Sequence, residues 1–172
     1  MNRPSTLARF KAGTSLSRSA IPELFLADLT DDLVGEVERG LRVVAYFGSP
    51  EGAGIRLYLV LADDARSELA VGTARLPGES FPSVAEACPQ VQLFEREIAE
   101  QWGPRPVGHP WLKPVRYAPP LGGRARPLAT IRSQALGPPG VTDFFRVEGA
   151  EVHEVGVGPV HAGVIEPGHF RF

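Results

Sequence analysis

The sequence predicts an α+β fold: a three-stranded antiparallel meander with flanking helices, followed by a Pro-rich arm and a β-hairpin. Three observations carry this expectation. β-Rich runs near residues 41–47, 55–61 and 68–76 are separated by polar or glycine-rich turns. Val91, Phe94, Ile98 and Trp102 recur at spacings of three, four and four, which is one face of a helix. Nine prolines between Gly103 and Gly140 are too dense for any regular element.

The elements follow in order. Residues 1–28 read as a basic flexible tail, because Arg3, Arg9, Lys11 and Arg18 stand in a stretch without an acid up to Ser19. Its Ser and Thr give it a composition faintly like a transit peptide. Thr30 is the expected N-cap of a first helix, with Asp31 and Asp32 in the first turn, where the helix dipole favours acids. Leu33 and Val37 form its apolar stripe, and Gly40 is a suitable stop. Leu41 to Phe47, Ile55 to Leu61 and Glu68 to Leu76 are the three strands, with Gly48 to Gly54 as the first turn. Ser83 with Glu86 three residues later forms a capping-box pattern, so a short helix is expected there, interrupted at Pro89. The second full helix runs to Trp102 and stops at Gly103-Pro104. The resulting division is 29–117 for the α+β domain, 118–142 for a Pro/Gly-rich basic linker and 143–172 for a β-type segment.

Composition narrows the function. With 172 residues, 43% hydrophobic and 22% charged, the chain is able to bury a core. A net charge of −2 gives no global reason to expect nucleic acid. No apolar run is long enough to cross a bilayer. There is no apolar signal core, and one cysteine suits a reducing compartment. That cysteine, Cys88, excludes an internal disulfide, a thiolate zinc site and a cysteine-held iron–sulfur cluster within the chain.

Two groups of residues invite chemistry. Glu95, Glu97 and Glu100 are close enough in sequence to suggest acid–base work or metal binding. They do not share one helical face, however, and Arg96 with Glu100 is an i,i+4 pair. A solvated face or a set of intersubunit ion pairs is the stronger reading. His153, His161 and His169 are spaced by eight, which fits neither a helix nor a single strand. A three-histidine metal site is the sharper reading of them, but the spacing gives it little support.

The run from Glu95 through Arg96, Glu97 and Glu100, followed by His109 and Lys113, resembles the signature of the thirty-kilodalton subunit family of respiratory complex I, the NADH dehydrogenase of respiration. Gln101 departs from it, standing where an apolar residue is usual. The stretch from Val152 to Phe172, with Gly158-Pro159-Val160-His161, is similar to the start of the large subunit of formate-hydrogenlyase-type nickel–iron hydrogenases. In formate-hydrogenlyase large subunits the two modules are fused in this order.

The resemblance implies a complex I thirty-kilodalton type of fold. It also implies an accessory, truncated or scaffold component of a complex-I-like membrane-associated oxidoreductase, either an energy-converting hydrogenase or an NADH:quinone oxidoreductase. The implied partners are a large subunit, an iron–sulfur subunit and membrane-arm subunits, on the inner face of the cell membrane in the cytoplasm. The nickel–iron centre and iron–sulfur clusters would reside in those partners, with none in this chain. Glu95, Arg96, Glu97, Glu100, His109, Lys113, His161 and His169 become candidate subunit-interface residues. His161 takes the position that faces the quinone headgroup in complex I, the alternative being a hairpin packed against partner subunits. A second reading, of a different class, is a stand-alone structural remnant or soluble binding module that uses its basic arm on an acidic partner.

Overall fold

The computed structural model describes residues 4–76, 78–113, 115, 149–153, 155–163 and 168–171. The chain divides into two compact units, Met1–Val141 and Thr142–Phe172. Among the described residues the first is α+β, with a largely antiparallel sheet and two α-helices.

Its centre is β3 (Arg42–Glu51), β4 (Gly54–Asp63) and β5 (Glu68–Arg75), each paired antiparallel with the next. Leu57, Leu59 and Leu61 alternate onto one face of β4 and are fully buried. Both β3 and β4 run further than their apolar residues suggest. β3 continues through Gly48, Ser49 and Pro50, so the expected turn over 48–54 shrinks to Gly52 and Ala53. Pro50 is tolerated because β3 is a terminal strand of the sheet, where one side of the backbone has no ladder to feed.

Among the described residues the sheet has five strands rather than three. β1 (Ala8–Lys11) pairs antiparallel with the first half of β5, and β2 (Glu23–Leu24) pairs parallel with its second half. Residues 4–28 are therefore part of the fold, not a tail. Leu7 is buried over Gly72, where a Cβ would come within 2.5 Å of the Leu7 Cδ2 atom. Arg9 and Lys11, read as solvated tail charges, pair with Glu36 at 2.6 Å and Glu68 at 3.0 Å.

The first helix, α1, is Leu26–Glu38 and starts four residues earlier than its expected cap. Thr30 lies inside it, and its hydroxyl donates back to the Leu26 and Ala27 carbonyls at 3.1 and 2.9 Å. Asp32 does not serve the helix start either. It is buried and accepts the backbone N–H and the hydroxyl of Thr6 at 2.8 and 2.6 Å. The stop at Gly40 is as expected, with φ of +99°.

After β5 the chain forms β6 (Ser80–Pro82) and a turn, then a 3₁₀ turn over Pro89–Val91 and α2 (Gln92–Trp102). No helix starts at Ser83. β7 (Arg105–Val107) then pairs parallel with β6, so the start of the Pro-rich stretch is ordered. Residues 108–113 and 115 of that stretch are described as well, whereas 114 and 116–140, with the rest of the expected 118–142 linker, lie outside the described residues. Helix α1 packs on β4 and β5, and α2 on β3. Both sit on the face that carries Leu57, Leu59 and Leu61. The second unit holds a hairpin of β8 (Gly156–Val160) and β9 (Gly168–Arg171), in which Val157 lies opposite Phe170.

Candidate functional site

The signature residues converge around α2. Glu95 lies in its first turn, with 0% of its surface exposed. Its carboxylate accepts the Ser83 hydroxyl and, at 2.9 Å, the Val84 backbone N–H. Ser83 thus spends its hydroxyl on a residue twelve positions away rather than on a local capping box with Glu86. Burial pushes the Glu95 carboxyl above its ordinary value, against the pull of those two donors. Close by on β3, the Tyr46 hydroxyl is buried and has no hydrogen-bond partner among the described residues. Burial, then the Glu95 charge, raise the Tyr46 phenol. Cys88 is buried too, and burial pushes its thiol up, away from thiolate chemistry.

Arg96 and Glu100 fasten the chain that follows the helix. The Arg96 Nε donates to the Lys113 carbonyl at 2.7 Å, and its guanidinium lies 5.0 Å from the Trp111 ring centroid. The Lys113 ammonium approaches the same ring at 5.3 Å. Glu100, also buried, accepts the Val115 backbone N–H at 2.7 Å. His109 closes the set. Its Nδ1 accepts the Trp111 N–H at 3.0 Å, which assigns the proton to Nε2 and lets that atom donate to the Gln92 carbonyl at 3.0 Å. Gln101 is buried.

This geometry corrects the solvated-face reading of the acidic run. Glu95, Arg96 and Glu100 are buried in their own chain, and Glu97 is half-buried. Glu95 and Glu100 hold different backbone segments, so they do not form a paired-carboxylate site. Of the candidate interface residues here, only Lys113 is exposed, with His109 half-exposed. His161 and His169 belong to the second unit. His161 is exposed immediately after β8, and His169 lies in β9. Among the described residues, no group of three or more His, Cys, Asp or Glu could hold a metal. Nor is any helix of these residues long and apolar enough to cross a membrane.

Sequence reasoning missed Ser83 as the partner of Glu95, Tyr46 as its neighbour, and Trp111 as the platform for two cations. Trp111 was within reach, since an aromatic two residues from a lysine in a Pro-rich stretch has little else to pack on. Tyr46 left no such signal, because its β-strand context explains it fully. No protein-family model matches the chain, and no curated protein matches it.

Proposed function

We propose that the chain is an accessory or scaffold component of a complex-I-like membrane-associated oxidoreductase, with a thirty-kilodalton-subunit type of first unit. It docks a large subunit and an iron–sulfur subunit, which carry the metal centres, at the cytoplasmic face of the membrane arm. One observation carries this reading. Arg96, Glu100, His109 and Lys113, spread over eighteen positions of the signature, meet in one set of contacts that ties the chain after α2 back to the helix, while Glu95 holds Ser83 and Val84 on its other side. The spacing that produced the resemblance therefore has a physical reason. It is a brace that locks the segment from His109 to Val115 onto α2.

In this reading the brace is mechanical. It presents the segment after α2 as a rigid surface, and the hairpin bearing His161 supplies a second contact. Affinity purification of the chain from its native membranes, with identification of the retained proteins, tests the proposal. Stoichiometric recovery of a large subunit of the hydrogenase or forty-nine-kilodalton type, with iron–sulfur and membrane-arm subunits, is the expected result. Recovery of the chain without them overturns it.

A further inference from the structure

Charge and apolar exposure are unevenly spread over the first unit. Around the sheet, basic side chains are answered within the chain: Arg9 by Glu36 at 2.6 Å, Lys11 by Glu68 at 3.0 Å and Arg56 by Glu51 at 2.7 Å. Beyond α2 the pattern changes. Arg105 and Lys113 are exposed, and among the described residues neither has a carboxylate within ion-pair distance. Large apolar side chains are exposed in the same region: Leu93 at 55%, Val107 at 58% and Trp111 at 55%. They belong to one connected piece of structure. Leu93 sits one helical turn before Arg96, whose guanidinium lies over Trp111, and Val107 ends the strand that leads into that segment.

Exposed apolar groups gathered in one place and bordered by charge mark an interaction site more often than scattered ones do. Tryptophan is the residue type most enriched among the side chains that dominate binding energy. Unanswered cations at the border fix the sign of what they meet, because complementary charge steers encounter and sets salt dependence. We infer that this surface, centred on Trp111, is the docking face for a partner protein whose contact patch has an apolar centre bordered by carboxylates. The inference rests on the docking reading above, and adds where the partner sits and what it presents. The brace gives the surface its rigidity, since the backbone on either side of Trp111 is tied to α2 through His109 and Lys113.

The chain contains two lysines, Lys11 and Lys113, which makes the test clean. Zero-length carbodiimide coupling joins lysine amines to carboxylates in contact. In the assembly of the chain with its large and iron–sulfur subunits, Lys113 couples to partner carboxylates, while Lys11, held by Glu68, does not. The double variant Leu93→Ser with Trp111→Ser, and separately Lys113→Glu, each lower affinity at least tenfold, with a retained cooperative urea transition and a wild-type far-ultraviolet circular dichroism spectrum showing that the fold is intact. High salt weakens wild-type binding and has less effect on Lys113→Glu. Coupling through Lys11 alone, or wild-type affinity in both variants, overturns the inference and leaves the docking reading standing. Coupling of Lys113 only to Glu23 or Asp28 of another copy, beside the exposed Phe25, makes a second copy the occupant and overturns it as well. Failure to assemble with those subunits at all overturns both.

Discussion

Glu95 shows how much a single residue of the site departs from its sequence signal. The helical spacing around it was legible. Its partner was not, because a Ser three residues before a Glu is an N-cap pattern whether or not the Ser hydroxyl is claimed by a more distant carboxylate. The outcome has a sign that pH reveals. Burial raises the Glu95 pKa in the folded chain above its unfolded value. The stability linked to this group is therefore fully present below the unfolded value, and is lost as pH rises through the folded one. Glu95→Gln stays neutral at every pH and keeps an acceptor for Val84. We expect wild type to gain stability relative to Glu95→Gln as pH falls from about 8 toward the ordinary carboxylate range. Glu23, Glu51, Asp63 and Asp64 are held low by arginines and run the opposite way, but they are common to both proteins and cancel in the difference. Urea unfolding across that range measures it, and a pH-independent difference would mean that Glu95 is not titrating from a buried state. Glu95→Ala, which strands the Ser83 hydroxyl and the Val84 N–H, costs about 1–3 kcal/mol by the same assay.

At the scale of elements, periodicity located α2 and β-propensity located the three central strands, since both depend on which residues face the core. What they misjudged were residues whose local preference is overruled by packing. Gly48 reads as a turn residue, yet it sits inside β3 because the Trp102 ring needs the space. A Cβ there would lie 2.7 Å from Trp102 Cδ1 and 3.0 Å from Ile55 Cγ2. Gly48→Ala forces the indole or the strand to move, and we expect a loss of about 1–3 kcal/mol, as for other overpacked sites. A shift in tryptophan emission relative to wild type should accompany it, and an unchanged midpoint and spectrum would show that α2 does not press on β3 there. Of the expected buried face of α2, Phe94, Ile98 and Trp102, only Ile98 is buried and the other two are half-buried, while Val91 is buried in the 3₁₀ turn before the helix. Ile98→Ala is accordingly the informative truncation, with an expected cost of about 2–5 kcal/mol.

The whole first unit depends on a segment whose composition argues against structure. Basic residues without a single acid look solvated when read along the chain, because their partners lie elsewhere: Glu36 in α1, and Asp63 and Glu68 on β4 and β5. Two short strands carry too few residues to register as β-rich, yet together they cover one edge of β5. An uncovered edge is a template for pairing with other chains. Removing residues 1–24 takes away both strands, uncovers the space over Gly72 that Leu7 and Leu24 fill, and leaves buried Glu36 with Arg39 alone. The truncated chain should aggregate or lose its cooperative urea transition. Arg9→Ala isolates the charge component. Its side chain is a third exposed, so solvent screens the pair, and about 1–2 kcal/mol is the expected loss at neutral pH. Although burial opposes it, hydrogen bonds from Arg39 and Arg9 hold the Glu36 carboxyl below its ordinary value. Its contribution is present above the unfolded pKa and disappears as pH falls through the folded one, so the Arg9→Ala penalty should shrink in acid. Size-exclusion chromatography with urea unfolding decides the matter. A truncated chain that elutes as a monomer with the wild-type midpoint would return residues 1–24 to the status of a tail.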